Sequence, residues 1–243
     1  MNRRIAFPIL MVTLLCAAPG RAADDVNALV ARAGEVFARD VKGVLGFRQI
    51  TDNKLKASIL NQHTHTESWQ VSKDGVPQQV RILLMQRDGK PVKASEMSEE
   101  ERKINEANRQ AKSLPKLPFD PRHMDAYAFT DGGPCTDCEP GTRLVRFTSS
   151  LKDEQHGTGT MRIDARYRIT AFDFTPNALP ANVNEGRLRF VRAEVLPGTF
   201  ATRTIEGDFK GGQAFVRGTV KLEERREGYQ RFKSLEEALN YQP

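Results

Sequence analysis

The chain has 243 residues, of which 37 are Lys or Arg and 31 are Asp or Glu, so its formal net charge is +6. No segment beyond residue 23 is apolar enough to span a membrane as a helix. The basic residues mostly alternate with apolar ones, as in the stretch 187–190, which is typical of a solvated sheet face. This pattern argues against a nucleic-acid-binding protein and leaves open an attraction to anionic lipid headgroups.

The N-terminus has the pattern of a secretory signal peptide. Arg3 and Arg4 are followed by an apolar run over 5–18 and by small residues over 19–23. The run is too short for a membrane span, and the small residues suit cleavage after residue 22 or 23. We therefore expect residues 1–23 to be removed and the protein to be exported to a bacterial periplasm.

The remaining residues, 24–243, fit a single all-β or α+β domain. Without Arg3, Arg4 and Arg21 the net charge falls to about +3. Cys16 lies within the signal, but the large Leu15 before it argues against a lipoprotein signal.

Two cysteines, Cys135 and Cys138, remain after the signal, within the Gly- and Pro-rich stretch 131–141. An even cysteine count in an exported protein favours a disulfide, here one that holds a loop. A redox-active pair and a metal clip with outside ligands are the alternatives. Gly and Pro on both sides argue against the helix start that activates a redox thiol.

Apolar residues at helical spacing follow Asp24 and Asp25 and predict an amphipathic helix over 25–41. The period then changes, and alternating residues predict strands over 44–50, 64–71 and 79–85. Asp-Gly pairs at 74–75 and 88–89 suit tight hairpin turns. This region therefore predicts an antiparallel meander against which the helix packs.

A charged segment over 94–114 interrupts the strands. Ser98 and Glu101 fit a capping box, acidic residues crowd the start, and Pro115 stops the pattern. The segment predicts an inserted helix over 98–113. It is interpreted as a brace packed on the sheet, with a mobile gate over a cavity as the alternative.

Strand patterns return and continue nearly to the end, over 126–129, 141–148, 157–164, 167–174, 188–195, 199–206 and 214–222. The alternation changes phase near Phe190, which predicts a β-bulge there. Gly211-Gly212 is interpreted as the turn of the last hairpin, and Ser234 as the cap of a short C-terminal helix.

The stretch Gly157–Phe172, a glycine-led alternating strand that ends in Asp164 with an immediate return strand, resembles the LolA/LolB-type lipoprotein carrier superfamily. The order of elements agrees over most of residues 24–243. The resemblance implies a mainly β, α+β fold: a strongly curved antiparallel sheet, or incomplete barrel, with an N-terminal and an inserted helix packed against it. In the carriers the concave face holds acyl chains, and the superfamily also includes periplasmic sensors. The inserted helix and the cysteine loop depart from the classical carriers.

Apolar side chains on the predicted strands are the candidates for a ligand cavity, with an ordinary packed core as the alternative. These candidates are Leu84, Met85, Phe147, Phe172, Phe174, Phe190, Phe200 and Phe215. The fold expected from the resemblance favours a cavity, because a half-open curved sheet leaves a concave apolar face.

Two histidines and two aspartates are the further candidates for metal binding or acid–base catalysis. His63 and His65 share one side of a strand, with Glu67 as the nearby carboxylate, and are interpreted as exposed residues and not as metal ligands. Asp164 and Asp173 are interpreted as a turn residue and a surface residue. No hydrolase, nucleotide or zinc-protease motif occurs, so we expect no enzyme, cofactor or metal.

The sequence thus predicts a periplasmic binding protein that holds a hydrophobic ligand, an acyl chain or lipid, without covalent catalysis. The alternative is an envelope sensor or protein-interaction domain on the same fold with a filled core. The expected partners are a lipid or lipoprotein and an envelope protein, with transient membrane contact, no nucleic acid and a monomeric state.

Overall fold

The computed structural model describes residues 20–58, 60–110, 115–213 and 216–243. The predicted signal peptide lies almost entirely outside these ranges. The helices are α1 (Gly20–Asp40), α2 (Ala94–Arg109) and α3 (Leu235–Asn240). The strands are β1 (Val44–Ala57), β2 (Asn61–Lys73), β3 (Val76–Arg87), β4 (Lys90–Pro91), β5 (Tyr127–Pro134), β6 (Arg143–Ser149), β7 (Gly157–Ile163), β8 (Ile169–Pro176), β9 (Val183–Leu196), β10 (Thr199–Gln213) and β11 (Val216–Phe232).

All eleven strands form one antiparallel sheet in the order β4-β3-β2-β1-β11-β10-β9-β8-β7-β6-β5. The sheet is curved and open, because within the described residues its outermost strands, β4 and β5, do not pair with each other. The predicted fold class, a curved and incompletely closed antiparallel sheet with packed helices, is confirmed.

Tight turns connect the strands of the meander as predicted. Asp74 and Gly75 have φ of 51° and 77°, and Asp88 and Gly89 have φ of 52° and 76°. Two successive positive φ values match the right-handed twist of the flanking strands. Asp74 also accepts a hydrogen bond from the Gly43 amide through Oδ1 (2.8 Å), which ties the turn to the start of β1.

Helix α1 covers β5 to β9 and completes the main core. Val26, Val30 and Ala33 are at most 1% exposed and pack with inward side chains of these strands. The loop before β5 contributes Phe119, which is 0% exposed and lies edge-on to Phe172 at 5.0 Å. Burial of each such side chain contributes about 1.5–3 kcal/mol, so this packing is the main energetic contribution to the fold.

The inserted helix exists, but it starts four residues before the predicted start. Lys93 is the N-cap residue of α2 and makes no side-chain capping bond. The predicted capping box is therefore wrong. Ser98 lies in the second turn, where its hydroxyl donates to the Ala94 carbonyl (3.0 Å), as interior serines commonly do. The predicted end of the helix, 111–113, lies outside the described residues.

The bulge nearest Phe190 is on the neighbouring strand β10 and not on β9, where the sequence predicts it. In β9 the residues Leu188, Phe190 and Arg192 keep one inward phase. The register shift nearest Phe190 is on β10, where Arg203 is the extra residue opposite β9. The sequence predicts a change of phase because an arginine is expected to face solvent. In the structure Arg192 is 4% exposed.

The last hairpin is longer than predicted, since Gly211 and Gly212 lie within β10 and still pair with β11. The C-terminal helix is confirmed: Ser234 Oγ accepts from the Glu237 amide (3.1 Å) at the start of α3. Helix α3 packs on the sheet beside Trp69 and buries Ala238 there.

Candidate functional site

Four of the eight predicted cavity residues lie in the packed core. Phe147, Phe172, Phe174 and Phe190 are between 0% and 9% exposed and belong to one cluster with α1. Phe172 and Phe190 stack with their ring centroids 4.3 Å apart. Since these rings contact one another and Phe119, they occupy the space beneath α1.

The other four candidates are scattered. Phe200 is 8% exposed and lies beneath the guanidinium groups of Arg168 and Arg192. Leu84 and Met85 are half-buried on β3, and Phe215 lies outside the described residues. The structure therefore does not bring the eight side chains together, and their role in ligand binding stays a prediction.

A cavity of about 280 Å³, here called the inner cavity, lies instead between the end of α1, the end of α2 and the face of the sheet beneath them. Its apolar lining comprises Phe37, Val41, Leu45, Phe47, Val71, Pro77, Val80, Ile104, Ala201 and Tyr229. Polar groups, among them Gln49, Gln70 and Asn108, are interspersed in this lining. Apolar walls with a few convergent polar groups are typical of small-molecule sites.

Arg192 is a buried cation that lines this cavity. Its two Nη atoms donate to the carbonyls of Ile169 (3.3 Å) and Phe200 (2.7 Å), and its guanidinium lies 5.0 Å from the Phe37 ring centre. Burial lowers the pKa of Arg192 to about 10, against the effect of Asp40. The group therefore remains charged at neutral pH in an apolar setting.

Asp40, at the end of α1, is the acidic neighbour of Arg192. It is 5% exposed, and among the described residues its Oδ2 atom has no hydrogen-bond partner. Burial raises the pKa of Asp40, although Arg192 and two further arginines act in the opposite direction.

Arg226 is the second cation of the inner cavity. Its Nε donates to Glu224 (2.6 Å), its guanidinium lies 5.1 Å from the Phe47 ring centre, and its side chain is 25% exposed. Burial lowers the pKa of Arg226, but Glu224 and Tyr229 more than offset this, so the pKa is raised. Tyr229 donates its hydroxyl to the Thr202 carbonyl, and burial raises its pKa to about 12.

Helix α2 is held against the sheet by polar contacts. Asn105 accepts from the Val80 amide (2.7 Å) and donates to the Val80 carbonyl (2.8 Å), while Glu101 accepts from the Ile82 amide (2.9 Å). None of the residues of α2 is buried. Positions 101 and 105 are about one helical turn apart, and the rise of one turn is similar to that of two strand residues. Their side chains therefore reach alternate outward backbone groups of β3, those of Ile82 and Val80.

A second apolar concavity, the end groove, has a volume of about 560 Å³ and lies at the far ends of the long strands. Leu55, Val183, Phe209 and Val220 line it, together with glycines of β10 and β11.

His63 and His65 do share one side of β2, but their nearest partner comes from β1. Asp52 Oδ1 lies 2.7 Å from His63 Nε2 and 3.1 Å from His65 Nδ1. Glu67 lies 3.4 Å from His65 Nε2 and also pairs with Arg48. Sequence spacing could not reveal Asp52, because cross-strand register brings it there. Within the described residues no set of three His, Cys, Asp or Glu side chains is placed to hold a metal ion.

The remaining candidates have structural roles. Cys135 and Cys138 form the predicted disulfide, and the Cys135 amide donates to the Thr142 carbonyl across the loop (2.9 Å). Asp164 accepts from the amides of Arg166 and Arg168 at the β7–β8 turn. Asp173 pairs with Arg187 (2.9 Å), so the two carboxylates have separate partners. Among the described residues, no helix has the length and apolar character needed to cross a membrane.

No protein-family model matches the sequence, and a search of curated proteins finds no match. Solved structures are similar over most of the chain. A DUF1329 family protein from Desulfovibrio piger has a TM-score of 0.41 and 11% identity, with 89% of this chain and 97% of that chain covered.

A putative outer membrane lipoprotein-sorting protein domain from Vibrio parahaemolyticus has a TM-score of 0.40 and 13% identity, with the same coverage. MucB has a TM-score of 0.32 and 8% identity, over 83% of this chain and 93% of that chain. A similarity of this degree assigns no function. One of these similar structures is a lipoprotein-sorting domain, the kind of protein that the Gly157–Phe172 stretch resembles.

Proposed function

We propose that the protein is an exported binding protein that holds the apolar chain of a lipid, or the acyl chain of a lipoprotein, in the inner cavity. The observation that carries this proposal is the cavity itself, about 280 Å³ of space with mainly apolar walls beside a packed core. Each methylene group transferred there from water contributes about 0.8 kcal/mol. Binding and release require no covalent step.

The volume supports a limit on the ligand. Small-molecule sites usually enclose roughly 300–1,000 Å³, so the inner cavity, at about 280 Å³, lies just below that range. A long acyl chain would need additional space. Helix α2 is the element that can provide it, because Ile104 and Asn108 line the cavity while the helix itself buries no side chain.

The substitution Ala201→Trp tests the site. Ala201 is 8% exposed and lines the inner cavity, so an indole at this position fills the space. The matched variant Ala57→Trp places the same side chain in the end groove. Fluorescent fatty-acid titration and native mass spectrometry of lipid co-purified from the periplasm would measure binding.

The proposal expects Ala201→Trp to abolish binding and Ala57→Trp to preserve it, with unchanged circular dichroism for both. Loss of binding only in Ala57→Trp would move the site to the end groove. Absence of lipid and of fatty-acid uptake in the unsubstituted protein would contradict a binding function. Recovery of the protein from the periplasm with an N-terminus at residue 23 or 24 would test export.

A protein-interaction domain is the second candidate, and the contact between α2 and β3 favours it. On its outer side, β3 pairs with β4 only at Gln86 and Arg87 among the described residues. The side chains of Asn105 and Glu101 occupy backbone groups that an added strand would use. If α2 moved away, an extended peptide could pair with this edge.

A further inference from the structure

The charges of the inner cavity are not balanced. Its lining includes two guanidinium groups, of Arg192 and Arg226, and one carboxylate, of Glu224. Asp40, the acidic neighbour of Arg192, is not among the residues that line the cavity. Apolar walls that carry more guanidinium groups than carboxylates favour a ligand with a negative charge over one with a positive charge.

Arg226 is placed to contact such a ligand. A guanidinium has five N–H donors in one plane; Arg226 uses its Nε–H for Glu224 and has a further side-chain hydrogen bond with Tyr229. Its side chain keeps 25% of its surface exposed, whereas Arg192 is 4% exposed and donates to two carbonyls. Arg226 therefore has further donors available on a side chain that lines the cavity, and Arg192 contributes mainly charge.

A carboxylate fits this arrangement. Its two oxygens match the planar fork of a guanidinium, and such charge-assisted bonds are about twice as strong as neutral ones. Gln49 and Gln70 also line the cavity, and the amide group of each has a second N–H beyond the one given to Thr51 or Ser68. The apolar walls, including Phe47 and Val80, would enclose the chain to which the carboxylate is attached.

We propose that the inner cavity selects an amphiphile with a terminal carboxylate, a free fatty acid of medium chain length, and that Arg226 binds the carboxylate. This inference rests on the proposed binding function and specifies its ligand class. A neutral chain of equal length would fill the same walls but leave the guanidinium without an added partner.

Two substitutions with opposite expected effects test the role of Arg226. Glu224→Gln removes the carboxylate that competes for the guanidinium, so decanoate should bind about tenfold more tightly. Arg226→Gln leaves Glu224 in the cavity, so decanoate binding should weaken at least tenfold while decanol binding is retained. If the Arg226–Glu224 pair only stabilised the fold, both variants would lose decanoate binding.

Matched controls come from neighbouring positions of β11 that face the other side of the sheet. Arg225 pairs with Glu227 (3.1 Å) and Glu223 with Lys54 (3.3 Å). Arg225→Gln and Glu223→Gln should leave decanoate binding unchanged. If Arg226→Gln does not fold, the double variant with Glu224→Gln removes the pair together and should bind decanoate and decanol equally.

Displacement of a neutral fluorescent probe by decanoate, decanol and decylamine measures the selectivity. The inference expects decanoate to bind about tenfold more tightly than decanol, and decylamine to bind least. Equal binding of all three would overturn the inference and leave the proposed function intact. Failure of every chain to bind would overturn both.

Discussion

A helix contacts each half of the sheet, but the contacts differ. In the covered half, β5 to β9 lie beneath α1, whose Val30 and Ala33 are 0% exposed against a continuous aromatic core. The open half consists of β1, β2, β3 and β11; there α2 contacts β3, buries no side chain and is held by Asn105 and Glu101. A helix with an apolar stripe fills the concavity, whereas a helix held by polar contacts leaves a cavity.

The two halves separate the packing that stabilises the domain from the cavity that is proposed to bind a ligand. Dense packing of the covered half supplies the stability of the domain, because it contains the largest cluster of buried residues. The open half can retain a cavity with buried charges because its own packing is divided into small clusters. The following predictions, ordered by expected effect, test this difference.

Removal of an aromatic ring should cost more in the covered half. Phe174 is 0% exposed within the main core, so Phe174→Ala should destabilise the protein by about 4 kcal/mol. Phe47 borders the inner cavity, and Phe47→Ala should cost about half as much, since fewer contacts are lost. Urea denaturation measures both, and equal losses would contradict the comparison.

Enlargement of a small side chain should give the complementary result. Ala33, on the inward face of α1, is 0% exposed, so Ala33→Leu should cost about 2 kcal/mol through overpacking. Ala201 lines the inner cavity, and Ala201→Leu should change stability by less than about 0.5 kcal/mol, since space is available. Thermal unfolding of the two variants provides the measurement, and equal destabilisation would show that the cavity is not available.

Loss of the polar contacts of α2 should have a local effect. Asn105→Ala removes two hydrogen bonds to Val80, which should cost about 1–2 kcal/mol in the attachment of the helix. Hydrogen exchange should then accelerate at the amides of Val80 and Ile82 but not in the covered half. Glu99→Ala, at an exposed position paired with Lys103, is the control. Uniform acceleration throughout the protein would contradict a local attachment.

The smallest effect concerns the pH dependence of the His65 contacts. Hydrogen bonding to Asp52, with a further contribution from Glu67, raises the pKa of His65 above 6.5 despite partial burial. The stabilisation is therefore complete below pH 6.5 and is lost as the pH rises through the folded pKa. Because the side chain is 25% exposed, we expect a few tenths of a kcal/mol. In urea denaturation, the midpoint of the unsubstituted protein should fall as the pH rises through this range, and the midpoint of His65→Gln should lack this decrease. An identical pH dependence in the variant would contradict the assignment.

Local signals predicted the elements well. The stripe that follows Asp24 and Asp25, the Asp-Gly turns and the Ser234 cap all correspond to observed structure. Such signals depend on residues within a few positions of one another, so their information is present in the sequence. The errors at Ser98 and Phe190 arose where a polar residue had an unexpected environment, a second helical turn in one case and a buried face at Arg192 in the other.

The sequence by itself determined the class of structure, because alternation, helical stripes and turn pairs are short-range patterns that specify an antiparallel sheet with accessory helices. It also supplied the pattern of an exported chain. Only the tertiary structure decided which apolar residues are packed and which border a cavity. Phe172 and Phe47 look alike in sequence, yet one lies against α1 and Phe119 while the other faces Arg226 and open space. That distinction depends on which distant segments cover each part of the sheet, and no local pattern encodes it.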